Sequence, residues 1–236
     1  MELLDAFKND FSPKRKLALS RSVLLGSEAY SRFFNDNKDF FSYLEYGPLR
    51  GHLLNYSIQR SLYNAAFSPD AMFQAIPENA NIYKQSVLHI KTDNFIITTA
   101  KTRKWANLPP RANYKLEYAK ANEGGDRQLS FYLLGDTLHY AYHPSEIPNS
   151  YYALLTYGYD NFTNECTHID LVVPNSSFNG ILKRENLLPK ANDSFFVIRP
   201  EDETTLVSLN EDLEQLVKLK TTKWDDYHEK KKYYTL

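Results

Sequence analysis

Apolar residues in the first third of the chain recur at helical spacing, then give way to short runs with the two-residue period of strands. Ser12-Pro13 predicts a helix start, because proline in the first turn loses no hydrogen bond. Leu17, Val23, Leu24 and Leu25 follow, until Gly26 predicts an interruption. A second helical segment over Ser27–Tyr46 carries Tyr30, Phe33, Phe34, Phe41 and Leu44, with Asn35-Asp36-Asn37 as its expected break. The best helical pattern runs from Leu49 to Phe67. There Leu49, Leu53, Tyr56, Arg60 and Tyr63 line one side and Leu54, Ile58, Leu62 and Ala65 the next, a broad stripe that predicts packing on two sides. Residues 70–84, with Pro77 and several Asn, read as a connection.

Period-two runs follow. Val87–Ile90 and Phe95–Thr99 flank Thr92-Asp93-Asn94 as a hairpin. Pro109-Pro110 leads into a helix over Arg111–Asn122, ended by Glu123-Gly124-Gly125-Asp126. Leu129–Leu134, Leu138–Tyr142, Tyr151–Tyr157 and His168–Val173 are rich in aromatic and β-branched residues, and predict consecutive strands of an antiparallel sheet. A short helix is expected at Phe178–Leu187, a strand at Phe195–Ile198, and a helix over Glu201–Lys220. That last helix has acids early, lysines late and a stripe of Leu206, Leu209, Leu213, Leu216 and Val217. The pattern predicts an α+β fold: a helical N-terminal region (1–84), a mainly antiparallel sheet domain with one inserted helix and a covering C-terminal helix (85–220), and a charged tail (221–236), packed as one compact unit.

Composition narrows the function classes. A chain of 236 residues with a formal net charge of −1 has no global field to attract nucleic acid or an anionic membrane, so such a partner needs a local patch. The single cysteine, Cys166, excludes an internal disulfide, suits a reducing cytoplasm, and beside Glu165 reads as an unreactive filler. No apolar run reaches the length of a membrane span, and the N-terminus lacks a secretory pattern. A soluble cytoplasmic protein is expected. Neither a phosphate-binding glycine loop nor a nucleophile elbow is present, and no cofactor or metal is expected.

Local charge supplies the first candidate site. Lys101, Arg103, Lys104 and Trp105 lie at a strand end just before Arg111, Lys115 and Lys120 on the predicted helix. Arg111 and Lys115 are placed to share a helix face, and an indole among cations suits a phosphate backbone with a stacked base. The competing reading is a solvated surface partly neutralised by Glu117 and Glu123. A metal-dependent nuclease would instead need acids on neighbouring strand ends. Its candidates are Glu117 with Lys120, Asp136, Asp160 and Asp170, although the Glu-x-Lys spacing expected on a nuclease strand is missing. His139 and His143, four apart on one strand, are about 13 Å apart and cannot share an ion. His168 and Asp170 share a strand face and either pair or converge on a ligand. Tyr140, Tyr142, Tyr151, Tyr157 and Tyr159 would give one sheet face exposed rings suited to a protein partner, or else fill the core.

The succession Phe95–Lys101, Leu108-Pro109-Pro110-Arg111, Gln128–Phe131, Tyr152–Gly158 and Val173-Pro174 resembles a poorly characterised group of bacterial and prophage-type proteins, whose genes tend to sit beside helix-turn-helix regulators. The resemblance covers about residues 90–190. It implies a setting in mobile elements, in toxin–antitoxin or phage-defence conflict, or in regulation, and it implies no catalytic residue. Two expectations therefore stand. One is a non-enzymatic protein binding nucleic acid or a protein partner through the basic and aromatic surface; the other is a nuclease or toxin enzyme with an atypical acidic site.

Overall fold

Ser12 and Pro13 begin the longest N-terminal helix as their chemistry requires, with the Ser12 hydroxyl accepting from Arg15 N at 3.3 Å. The computed structural model describes residues 2–42, 49–68, 72–79, 86–103, 107–122, 150–189 and 200–233. Helices α1 (Leu3–Asp10), α2 (Pro13–Asp36), α3 (Lys38–Ser42) and α4 (Leu49–Ala65) come first. Strands β1 (Gln74–Asn79), β2 (Ser86–Lys91) and β3 (Phe95–Lys101) follow, then α5 (Asn113–Ala119) with a 3-10 turn at Lys120–Asn122. Strands β4 (Tyr151–Asp160), β5 (Glu165–Pro174) and β6 (Ile181–Asn186) and helix α6 (Pro200–Tyr233) complete the chain. The fold is α+β, as predicted.

The six strands lie in the order β1-β2-β3-β4-β5-β6. All neighbours are antiparallel except β3 and β4, which run parallel from Phe95↔Tyr151 to Lys101↔Tyr157. A parallel pair needs a crossover, and α5 lies within it. Alternate residues of each strand feed two cores. Phe95, Ile97, Ala153, Leu155, Ile169 and Leu171 pack with Leu19, Val23, Leu54, Ile58 and Leu62 of α2 and α4. Ile96, Ala100, Tyr152, Leu154 and Val172 pack with Tyr118 and Ala119 of α5. The layers are thus helices, sheet and a short helix.

The first core crosses the predicted 84/85 boundary. Asp10, at the end of α1, accepts from Thr92 Oγ1 (2.6 Å), Asn94 N (2.7 Å) and Asn94 Nδ2 (2.7 Å), tying the predicted hairpin turn to the N-terminal helices. Helix α6 lays Leu206 and Leu209 against Ala29 and Leu25 of α2, and Arg60 of α4 pairs with Asp212 at 2.8 Å.

Several expectations need correction. Gly26 does not interrupt α2. A Cβ there would stand 2.5 Å from Ile58 Cα and 2.8 Å from Ser57 O, so the glycine exists to let α4 cross closely. Residues Gln74–Asn79, expected as connection, form β1; Pro77 is accommodated because an edge strand leaves one row of N–H groups unused. Ile181–Asn186 is a strand rather than part of a helix. The side chain of Asn175 accepts from Asn179 N (2.9 Å) and Gly180 N (3.0 Å), and Phe178 takes a left-handed φ of 52°, which turns the chain back onto β5. Helix α5 begins at Asn113 rather than Arg111, beyond the double proline. Helix α6 continues past Lys220 to Tyr233. The expected strands at Leu129–Leu134, Leu138–Tyr142 and Phe195–Ile198, with Tyr140, Tyr142, His139 and His143, lie outside the described residues. Among the described residues no helix is long and apolar enough to cross a membrane.

Candidate cationic site at the ends of the parallel strands

The predicted basic segment divides when folded. Lys101, Arg103 and Arg111 are exposed, and none has an ion-pair partner among the described residues. Lys115 is no surface cation. It is buried on α5, 5.8 Å from the Tyr114 ring, with its ammonium donating to Pro110 O at 3.4 Å, and burial lowers its pKa. Lys120 is exposed but donates to both carboxylate oxygens of Glu117, at 2.8 and 2.7 Å. Lys104 and Trp105 lie outside the described residues. The predicted shared face of Arg111 and Lys115 does not form, because Arg111 precedes the helix and Lys115 faces inward.

Lys101 gains instead a companion that the sequence reading missed. It ends β3 and sits 5.8 Å from the ring centre of Tyr159, near the end of β4. The Tyr159 ring meets Tyr30 of α2 edge-on at 5.4 Å, and the Tyr30 hydroxyl receives Nε of Arg50 at 3.4 Å. Arg50 Cζ lies over the Phe34 ring, 4.0 Å from its centre. Two cations from the end of β3 and the first turn of α4 thus meet over an aromatic floor, where the parallel strands end.

Electrostatics agree with the geometry. Although the residue is exposed as a whole, partial desolvation of the Lys101 ammonium and then repulsion from Arg50 hold it below its ordinary pKa. Arg50 Nη2 is shielded from solvent and has no hydrogen-bond partner among the described residues. The Tyr159 hydroxyl is also shielded and unbonded; Ser31 lies close enough to favour its phenolate, but outside hydrogen-bond geometry. Burial nonetheless dominates and lifts the Tyr159 phenol to about 12. The nearest acid that Tyr159 senses, Glu28, is engaged with Arg32 at 2.9 Å. A signal for Arg50 did exist in the sequence: a cation in the first turn opposes the helix dipole, and α4 has no acid there to compensate.

The acidic candidates do not assemble in the same way. Glu117 is engaged with Lys120, and Asp136 lies outside the described residues. Asp170 is buried on the opposite sheet face, where burial raises its pKa against the opposing pull of Arg184 and His168. His168 does not bond Asp170. Its Nε2 is 2.8 Å from Thr102 Oγ1 and its Nδ1 3.2 Å from Thr167 Oγ1, and burial lowers its pKa, keeping the ring neutral near pH 7. Gly158 makes room for this ring, since a Cβ there would lie 2.2 Å from the imidazole. Among the described residues no three His, Cys, Asp or Glu side chains gather as a metal site. Asp160 holds the β4–β5 turn, accepting from Phe162 N at 2.7 Å. Cys166 is half-buried with its thiol pushed up to about 12 by burial.

Of the two readings of the tyrosines, filling the core is the one that the described rings follow. Tyr151, Tyr157 and Tyr159 are buried under the helices, because alternation along β4 points them at α2 and α4. They are core with hydroxyls at its rim, as in Tyr157, which donates to Asn55 Oδ1 at 3.0 Å.

Compared with known proteins, no family model, no curated protein and no solved structure matches the chain.

Proposed function

We propose that this chain is a non-enzymatic nucleic-acid-binding protein that holds the phosphate backbone through Lys101, Arg103 and Arg111. The supporting observation is the exposure of these three cations, without an acidic partner among the described residues, along the stretch that links β3 to α5. In a chain of net charge −1, cations left unneutralised along one stretch supply the local field that the whole molecule lacks. Lys115 and Lys120 drop out of the proposed contact set, the first by burial and the second through Glu117. Of the tyrosine face that favoured a protein partner, Tyr151, Tyr157 and Tyr159 are taken up by the core.

Fluorescence anisotropy with single- and double-stranded DNA and RNA oligonucleotides at graded salt tests this reading. Affinity should fall linearly on a log–log plot against salt. Lys101→Ala, Arg103→Ala and Arg111→Ala should each flatten that slope by about 0.7–0.9, one phosphate contact apiece. Absence of binding to all four polymers, or binding indifferent to salt, overturns it.

A further inference from the structure

We infer that Lys101, Arg50 and Tyr159 form an inner subsite for a phosphate monoester, which in a nucleic acid is the phosphorylated end of a strand. The inference rests on the nucleic-acid reading for the source of the phosphate, but not for the chemistry of the site. Contacts run without a gap from Lys101 to the Tyr159 ring, on to Tyr30, and from its hydroxyl to Arg50. Two donors in this chain, Arg50 Nη2 and Tyr159 Oη, are shielded from water and unbonded among the described residues. Leaving such donors unmatched is costly, and a ligand rich in acceptor oxygens relieves it. Tyr159 is only 8 % exposed, so its free hydroxyl is a built feature rather than a surface accident.

The charge of the ligand follows from the groups that face it. Two cations stand together with no carboxylate paired to either among the described residues, and Glu28, the acid near Tyr159, is occupied by Arg32. An internal phosphodiester carries one charge and two free oxygens. A phosphate monoester carries about −1.5 to −2 at neutral pH and three strong acceptor oxygens, matching two cations and three donor groups. Arg50 is stacked on Phe34 and oriented by Tyr30, so its guanidinium is already in place before any ligand arrives.

The test compares oligonucleotides of one sequence bearing a 5′-phosphate, a 3′-phosphate or neither, by anisotropy at fixed salt. A phosphorylated end should tighten binding by about tenfold or more, the effect of hydrogen bonds to a charged group. Arg50→Ala and Lys101→Ala should erase that preference, while Arg111→Ala weakens all three ligands alike. Tyr159→Phe removes only the hydroxyl and keeps the ring, so a partial loss of preference with an unchanged melting temperature separates recognition from misfolding. A parallel 31P NMR titration with inorganic phosphate reports on the subsite alone. Equal, salt-dependent binding of all three oligonucleotides overturns the subsite and leaves the nucleic-acid reading standing. Phosphate binding that Tyr159→Phe weakens, with no oligonucleotide bound, supports the subsite, points to a small phosphorylated ligand and overturns the nucleic-acid reading.

Discussion

Replacing Gly26 by alanine tests the packing that brings Arg50 and Tyr30 together, since α2 carries the tyrosine and α4 the arginine. The new Cβ would lie 2.5 Å from Ile58 Cα, 2.8 Å from Ser57 O and 2.9 Å from Ile58 N, all backbone atoms that no rotamer change can move. Restoring ordinary contact requires the helices to part by about 1 Å, and overpacking of this kind costs about 1–3 kcal/mol. Separation also strains the buried bond from Ser57 Oγ to Gly26 O, 2.7 Å long, whose loss costs about 1 kcal/mol or more. Against this, alanine in a helix interior is favoured over glycine by about 1 kcal/mol. The net is a destabilisation of about 1–3 kcal/mol, which for a chain of 236 residues lowers Tm by about 2–12 °C. Circular dichroism melts of Gly26→Ala, Ser57→Ala and the double variant separate the steric part from the hydrogen bond. A Gly26→Ala protein that melts at or above the parent temperature would refute the close crossing.

Two further outcomes follow from the opposite sheet face. Gly158→Ala should push the His168 ring away from Thr102 and cost about 1–3 kcal/mol for the broken buried bond; unchanged His168 imidazole shifts in long-range 1H–15N NMR spectra would contradict this. Burial also holds His89, beside Glu78 and Lys91, and His168, beside Asp170 and Arg184, below the ordinary imidazole value of 6.5. The unfolded chain therefore binds more protons just below pH 6.5, so their contribution is full above that pH and is lost as pH falls towards the folded values. Asp170, raised by burial, acts with the opposite sign: its contribution is full below the ordinary carboxylate value and is lost as pH rises through its folded pKa. Urea midpoints should drop between pH 7.5 and pH 5.5, and less so in His168→Asn; equal drops in both proteins would remove His168 from the account.

Much of the architecture was legible from local pattern alone. The cap at Ser12, the helix from Leu49, the Thr92–Asn94 turn, the strands around Leu154 and Leu171 and the leucine stripe of α6 follow from periodicity, capping and turn chemistry. These depend on neighbours a few residues away, which a sequence displays directly. What lay beyond it was contact between distant segments. Gly26 reads as a breaker until Ile58 is seen against it, Pro77 as a loop until β1 proves to be an edge, and nothing in the local pattern shows that β4 runs parallel to β3. The same limit governs the site. Spacing put Lys115 beside Arg111, whereas burial turned it inward; folding brought Arg50, fifty-one positions before Lys101, onto the Tyr30 hydroxyl and within electrostatic reach of that lysine. Local sequence determines the long helices and the apolar face of the inner strands, whereas the two outer strands, β1 and β6, take their form from the neighbours they pair with. Which charged groups meet, and whether an acid neutralises them, is decided only when the strands are ordered and the helices are laid across them.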